Sequence, residues 1–101
     1  MSFTAIRYRI KPELQDENRA RIEDVFAELA RQAPDGLRYM ALQLEDGTFI
    51  HIVDRDSGSD PFEHNAAFKA FTAGLGGRQD EPTVRQPARV VGQYRMLTTG
   101  N

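Results

Sequence analysis

The sequence predicts an α+β protein in which a four-stranded antiparallel sheet carries two helices on one face. Three observations support this prediction. The chain begins with an alternating apolar and polar segment, as a half-buried strand does. Two later segments carry apolar residues at helical spacing. Between them, Asp46-Gly47 separates two apolar segments, which is a strong signal for a hairpin. The predicted order is strand, helix, strand, strand, helix, strand.

The first strand and the first helix are marked by their periodicity. Ser2 to Lys11 alternates, with Ile6, Tyr8 and Ile10 on one face. Pro12 ends this strand and suits the first turn of a helix, where its missing N–H costs nothing. The segment from Ala33 to Gly36 ends the helix. Between these limits the apolar positions of the predicted helix are Leu14, Ile22, Val25, Phe26, Leu29 and Ala33.

The hairpin is predicted to join strands at Leu37 to Leu44 and Thr48 to Asp54 through a two-residue turn. This turn would place Leu44 opposite Phe49, Leu42 opposite His51 and Met40 opposite Val53, all on one face. The other face would then carry Tyr39, Ala41, Gln43, Ile50 and Ile52.

The second helix has two alternative starting points. Asp60-Pro61-x-Glu63 has the pattern of a capping box with proline at the first helical position, and it would put His64 on the core stripe with Phe68, Phe71 and Leu75. Asn65 is the alternative cap, which would turn His64 towards a pocket mouth or the surface. The glycines at 74, 76 and 77 are predicted to close the helix.

The last strand is predicted at Ala88 to Leu97, after a linker from Arg78 to Pro87 that contains two prolines. Val90, Gly92, Tyr94 and Met96 form one alternating set in this strand.

Composition limits the class of protein. The 101 residues predict a single domain over positions 1–101. A net charge of −2 argues against nucleic acid and anionic membrane as partners. There is no cysteine, no apolar run of membrane-spanning length and no signal-peptide pattern, so a cytoplasmic protein is expected.

The strand and helix order predicts a ferredoxin-like βαββαβ sandwich. Two helices cover one face of its sheet, and the other face would expose an apolar patch too large for a lone domain. We therefore expect a homodimer in which two sheets pack through their helix-free faces around a two-fold axis, forming a dimeric α+β barrel.

Three segments of the chain resemble the antibiotic-biosynthesis-monooxygenase type of the dimeric α+β barrel superfamily. Arg7-Tyr8-Arg9-Ile10-Lys11-Pro12 is similar to the end of the family's first strand, Phe49 to Asp54 to its third strand, and Ala67 to Phe71 to its second helix. The resemblance implies a homodimer that binds a small hydrophobic ligand of the aromatic or polyketide type, and it implies cofactor-independent oxygenase activity.

The catalytic residues of that family do not carry over. Ile6 stands where the family's first-strand asparagine would be, Thr72 stands at the position of the haem-binding histidine, and the chain contains no tryptophan. We therefore expect no cofactor, neither haem nor metal.

His51 is the candidate catalytic residue, and two interpretations of it remain open. It is either a neutral core histidine with both ring nitrogens hydrogen-bonded, or a polar group in an apolar ligand pocket. Tyr8 and Tyr94 are its expected neighbours. The candidate substrate-binding residues are Tyr8, His51, His64, Phe68 and Tyr94. Two functions stay open: an oxygenase-like enzyme, and a non-enzymatic ligand-binding or structural dimer.

Overall fold

The computed structural model describes residues 2–58 and 60–97. The secondary structure elements follow the predicted order. They are β1 Ser2–Ile10, α1 Gln15–Gln32, β2 Leu37–Gln43, β3 Thr48–Arg55, α2 Ala66–Arg78 and β4 Gln79–Arg89. A 3-10 turn at Pro12–Leu14 leads from β1 into α1. The strands pair antiparallel in the order β2-β3-β1-β4. The predicted ferredoxin-like α+β fold is confirmed.

The core lies between the sheet and the two helices. Alternate residues of β1 and β3 meet one stripe of α1 and the middle of α2, because a strand turns every second side chain to the same face. The buried apolar residues of this core are Tyr8, Ile10, Ile22, Val25, Leu29, Phe49, Phe62 and Phe71. Helix α1 ends as predicted, since Ala33 adopts a left-handed conformation with φ of 46° and its amide donates to the Leu29 carbonyl at 2.7 Å.

The turn of the β2–β3 hairpin is one residue longer than predicted. The amide of Leu44 donates to the carbonyl of Thr48 at 2.8 Å, so the loop has three residues, Glu45 to Gly47. Gly47 has φ of +90°, which is the glycine position of a three-residue hairpin loop. A side chain at this position would also crowd the backbone of β1, because its Cβ would lie 3.1 Å from the Ile10 carbonyl oxygen.

The longer turn reverses the predicted faces of β2. Ala41, rather than Leu42, lies opposite His51, and Tyr39 lies opposite Val53. A shift of one residue moves every side chain of a strand to the other face. Tyr39 and Ala41 therefore pack on the helix side, and Met40 and Leu42 belong to the helix-free side with Ile50 and Ile52.

The position of the fourth strand is also a wrong prediction. β4 covers Gln79–Arg89, which lies within the predicted linker as far as Pro87, and residues 90–97 of the predicted strand lie beyond the sheet. β4 is an edge strand that pairs with β1 alone, and an edge tolerates proline because an amide facing solvent needs no partner. Pro82 falls at an irregularity of the β1–β4 pairing, between the pairs Arg7–Val84 and Arg9–Glu81.

Helix α2 begins at the second of the two predicted caps. The side chain of Asn65 accepts a hydrogen bond from the Phe68 amide at 2.8 Å and donates to the Val25 carbonyl at 3.3 Å. Asp60 caps only a local turn, where its carboxylate accepts from the Phe62 amide at 3.2 Å. The glycines at 74, 76 and 77 do not close the helix, which continues to Arg78.

Candidate functional site

A cavity of about 750 Å³ lies between the sheet and α2. Its apolar wall is formed by aromatic side chains of α2 and the turn before it, and Phe62 stacks on Phe68 with ring centroids 4.1 Å apart. Its polar wall is formed by the sheet. The cavity is lined by Thr4, Ile6, Tyr8, Tyr39, His51, Val53, Asp54, Arg55, Phe62, Phe68, Phe71, Thr72, Leu75, Thr83 and Arg85. This combination of apolar surface and few polar groups is typical of a small-molecule site.

Three strands bring a histidine between two tyrosines at the sheet wall. His51 on β3 is 4% exposed. Its Nε2 lies 2.7 Å from the hydroxyl of Tyr8 on β1, and its Nδ1 lies 2.6 Å from the hydroxyl of Tyr39 on β2. Both contacts follow from the sheet order, which places β3 between β1 and β2. Both ring nitrogens of His51 are therefore hydrogen-bonded.

The hydrogen bonds continue from Tyr8 into the helices. The Asn18 amide nitrogen on α1 donates to the Tyr8 hydroxyl at 3.2 Å. Arg78 Nε, at the end of α2, donates to the Asn18 side-chain oxygen at 3.0 Å, and Arg78 Nη2 donates to the Phe71 carbonyl at 3.2 Å. The guanidinium also lies over the Phe71 ring, 5.3 Å from its centroid. Five polar side chains thus form one connected network.

Burial sets the charge state of this network. It lowers the pKa of His51 to about 4, so the imidazole is neutral at pH 7. It raises the pKa of Tyr8 to about 12, against the opposing effects of the Asn18 hydrogen bond and the Arg78 charge. Burial also raises the pKa of Tyr39 well above its ordinary range. Burial lowers the pKa of Arg78, but from a value so high that the guanidinium stays charged.

Three of the five predicted binding residues meet at this cavity: Tyr8, His51 and Phe68. The other two lie elsewhere. The side chain of His64 is 82% exposed and lies 3.4 Å from Glu63, because Asn65 starts the helix and leaves His64 in the preceding turn. Tyr94 is 77% exposed, because β4 ends at Arg89.

The sequence interpretation missed Tyr39, Asn18 and Arg78. Tyr39 was assigned to the wrong face because the hairpin turn was predicted one residue too short. Asn18 carried a usable signal, since it occupies a position four residues before Ile22, on the apolar stripe of α1. Arg78 carried none, because its burial depends on where α2 ends and on the contact with α1.

No group of three or more His, Asp or Glu side chains is placed to hold a metal ion within residues 2–58 and 60–97. The expectation that the protein carries neither haem nor metal stays a prediction. In the same ranges no helix is both long enough and apolar enough to cross a membrane.

The fold and the cavity define a class of protein: a ferredoxin-like α+β domain with a cavity between sheet and helices. Solved structures of the antibiotic-biosynthesis-monooxygenase type share this fold. A protein of Nitrosomonas europaea, provisionally assigned as such a monooxygenase, matches with a TM-score of 0.70 at 14% identity, over 91% of this chain and 100% of its own.

Two further structures give similar values. One, from Caulobacter crescentus and with the same provisional assignment, matches with a TM-score of 0.68 at 16% identity, over 90% of each chain. SnoaB of Streptomyces nogalater, described as a cofactor-independent oxygenase, matches with a TM-score of 0.62 at 16% identity, over 94% of this chain and 97% of its own. The sequence matches no protein-family model. It also has no significant match among curated proteins.

Proposed function

We propose that this protein binds a small aromatic molecule of the polyketide type and oxidises it with O₂, without a bound cofactor. The observation that carries the proposal is the cavity of about 750 Å³ with aromatic side chains on one wall and the Tyr8–His51–Tyr39 cluster on the other. An aromatic ligand can stack against Phe62, Phe68 or Phe71 while a polar substituent reaches the cluster.

The likeness to SnoaB supports the oxygenase part of the proposal, because that protein shares the fold and is described as a cofactor-independent oxygenase. The chemistry needs no external reductant. When O₂ converts an activated ring methylene to a carbonyl, the substrate supplies the electrons, one oxygen atom enters the product and the other leaves as water.

A specific observation favours a second candidate, a non-enzymatic binding protein. Both ring nitrogens of His51 are already hydrogen-bonded, and burial keeps its pKa at about 4. His51 therefore offers no free lone pair to a substrate proton, and general base catalysis needs one. Under this alternative the cavity binds the same class of ligand without turning it over.

The two candidates are separated by measuring binding and oxygen uptake on the same compounds. Purified protein is titrated with bicyclic to tetracyclic phenols and ring ketones, and an oxygen electrode with mass spectrometry follows turnover. Binding with oxygen uptake and an oxygenated product supports the enzyme; binding without uptake supports the binding protein. A panel without any saturable binding contradicts both.

A matched pair of variants shows whether binding uses this cavity. Thr72 lines it, and the next residue on α2, Ala73, is exposed and does not line it. Thr72→Trp should fill the cavity mouth and abolish binding, and Ala73→Trp should leave binding unchanged. Equal effects of the two substitutions would place binding elsewhere.

We also propose that the protein is a homodimer joined through the helix-free face of the sheet. Support comes from the apolar character of this face, on which Leu42 and Val84 are exposed. A second copy of the sheet is the simplest cover, since a two-fold axis pairs the patch with itself. Strand alternation and pairing assign to this face the polar residues Arg7 and Gln86 and the apolar residues Phe3, Ala5, Met40, Leu42, Ile50, Ile52, Val84 and Ala88.

A further inference from the structure

The network around His51 has a direction that begins at Arg78. A guanidinium only donates hydrogen bonds, so the Asn18 atom 3.0 Å from Arg78 Nε must be the side-chain oxygen. The amide nitrogen of Asn18 therefore points the other way and donates to the Tyr8 hydroxyl oxygen at 3.2 Å. Arg78 thus determines the orientation of the Asn18 amide.

The Tyr8 hydroxyl determines which ring nitrogen of His51 accepts a hydrogen bond. Its oxygen accepts from Asn18, and its own hydrogen needs an acceptor because Tyr8 is only 3% exposed. His51 Nε2, 2.7 Å away, is the acceptor available within the described part of the chain. A neutral imidazole with an accepting Nε2 carries its hydrogen on Nδ1. The Nδ1–H group then donates to the Tyr39 hydroxyl oxygen at 2.6 Å.

The opposite direction would leave a buried donor without a partner. If Tyr39 donated to Nδ1, then Nε2–H and the Asn18 amide would both donate to the Tyr8 oxygen. The Tyr8 hydrogen would then have no acceptor among the described residues, which is unfavourable for a side chain that is only 3% exposed. The direction from Arg78 to Tyr39 instead gives the Asn18 amide, the Tyr8 hydroxyl and the His51 Nδ1–H group an acceptor each.

The chain of donors ends at Tyr39. Its hydroxyl accepts from His51, and its hydrogen has no protein acceptor among residues 2–58 and 60–97, while Tyr39 and His51 both line the cavity. We propose that the Arg78–Asn18–Tyr8–His51 chain fixes the Tyr39 hydroxyl as a hydrogen-bond donor to the ligand, which therefore presents an acceptor such as the carbonyl of an aromatic ketone or quinone. This inference rests on the proposed binding function and specifies its ligand.

The tautomer of His51 tests the direction without any ligand. The chain has two histidines, and His64→Gln removes the exposed one, so that His51 alone gives imidazole signals. In this background ¹⁵N NMR at neutral pH should show hydrogen on Nδ1 and none on Nε2. Hydrogen on Nε2 would overturn the proposal.

An isosteric substitution at Asn18 should reverse the direction of the hydrogen bonds between Tyr8, His51 and Tyr39. In Asn18→Asp the introduced carboxylate accepts from Arg78 and also from the Tyr8 hydroxyl. The Tyr8 oxygen would then accept from Nε2–H, and Tyr39 would donate to Nδ1. The histidine hydrogen should move to Nε2, and the added charge has Arg78 as a partner, so the variant should fold. An unchanged tautomer in the folded variant would show that Asn18 does not control it.

Ligand selectivity tests the role of Tyr39 with α-tetralone and tetralin, which differ in one carbonyl. Wild type should bind the ketone more tightly than the hydrocarbon. Tyr39→Phe and Asn18→Asp should each weaken the binding of the ketone by about tenfold, the usual effect of losing one hydrogen bond. Neither substitution should change the binding of tetralin. Equal weakening of both compounds would overturn the donor role. If wild type binds neither compound, the proposed function fails for bicyclic aromatics, and the His51 tautomer still decides the direction of the chain.

Discussion

The Tyr8 hydroxyl and His51 Nε2 lie 2.7 Å apart at the centre of the sheet, where neighbouring strands β1 and β3 bring together residues that are 43 positions apart in the chain. Both side chains are buried, and both also line the cavity. The two interpretations of His51 considered from the sequence are therefore compatible: its ring nitrogens have partners, and the residue also lines the cavity.

Removing His51 should destabilise the protein. His51→Leu leaves the buried Tyr8 hydroxyl without its acceptor, and we expect a loss of about 1–3 kcal/mol in the free energy of unfolding. Urea denaturation measures it. Tyr8→Phe in the His51→Leu background should cost less than Tyr8→Phe in wild type, with a coupling of about 1 kcal/mol between the two sites. Additive effects would mean that the 2.7 Å contact contributes no stability.

Stability should depend on pH through His51. The folded-state pKa is about 4 and the ordinary value is 6.5, so between them the unfolded chain binds a proton that the folded protein does not. The free energy of unfolding should therefore fall as the pH drops from about 6.5 to about 4, by about 3 kcal/mol at most. Above pH 6.5 this contribution is constant.

Two variants isolate this contribution from other acid-sensitive groups. In urea denaturation at several pH values, the free energy of unfolding should fall less steeply with decreasing pH for His51→Leu than for wild type. His64→Gln should behave like wild type, because the replaced side chain is exposed. A His51→Leu curve parallel to that of wild type would contradict the low pKa.

The proposed dimer should dissociate when charge enters the helix-free face. Light scattering of wild type should give about twice the monomer mass of 11.4 kDa. Ile52→Asp and Leu42→Asp should each give monomer or aggregate, because either buries an unpaired carboxylate at the interface. Ala30→Asp, on the exposed side of α1, serves as the control and should stay dimeric. A wild-type mass near 11.4 kDa would rule out the barrel.

Because α2 starts at Asn65, substitutions at its two predicted caps, Asn65 and Asp60, should differ in their effect on stability. Asn65→Ala removes the acceptor for the Phe68 amide and a buried donor to Val25, and we expect a loss of about 1–2 kcal/mol. Asp60→Ala breaks only a local turn and should cost less than about 0.5 kcal/mol. Thermal and urea denaturation of both variants measure these losses. A larger loss for Asp60→Ala than for Asn65→Ala would mean that the helix starts at Asp60.

The sequence determined the elements whose signals are local. The alternation of Ser2–Ile10, the proline at 12 and the apolar stripe of α1 each depend on residues within a few positions, so β1 and α1 could be located without the fold. The apolar residues on both faces of β3 also predict a covered second face, and this stays a prediction. Element order then limited the topology to the observed one.

Pairing between distant segments decided what the sequence could not. β4 is a strand because Gln79–Arg89 finds a partner in β1, and its own composition, with two prolines, favoured a linker. The hairpin register depended on one residue of turn length, and that residue decided whether Tyr39 faced the helices or the open side of the sheet.

The candidate site was likewise predicted in part from the sequence and in part only from the tertiary structure. The sequence identified His51, Tyr8 and Phe68, because polar or aromatic residues on predicted core faces can be recognised from periodicity alone. The direction of the hydrogen-bond chain required the tertiary structure, since Arg78, Asn18 and Tyr39 belong to three different elements. Hydrogen bonding between side chains depends on the positions of atoms from separate elements, and local sequence patterns do not specify those positions.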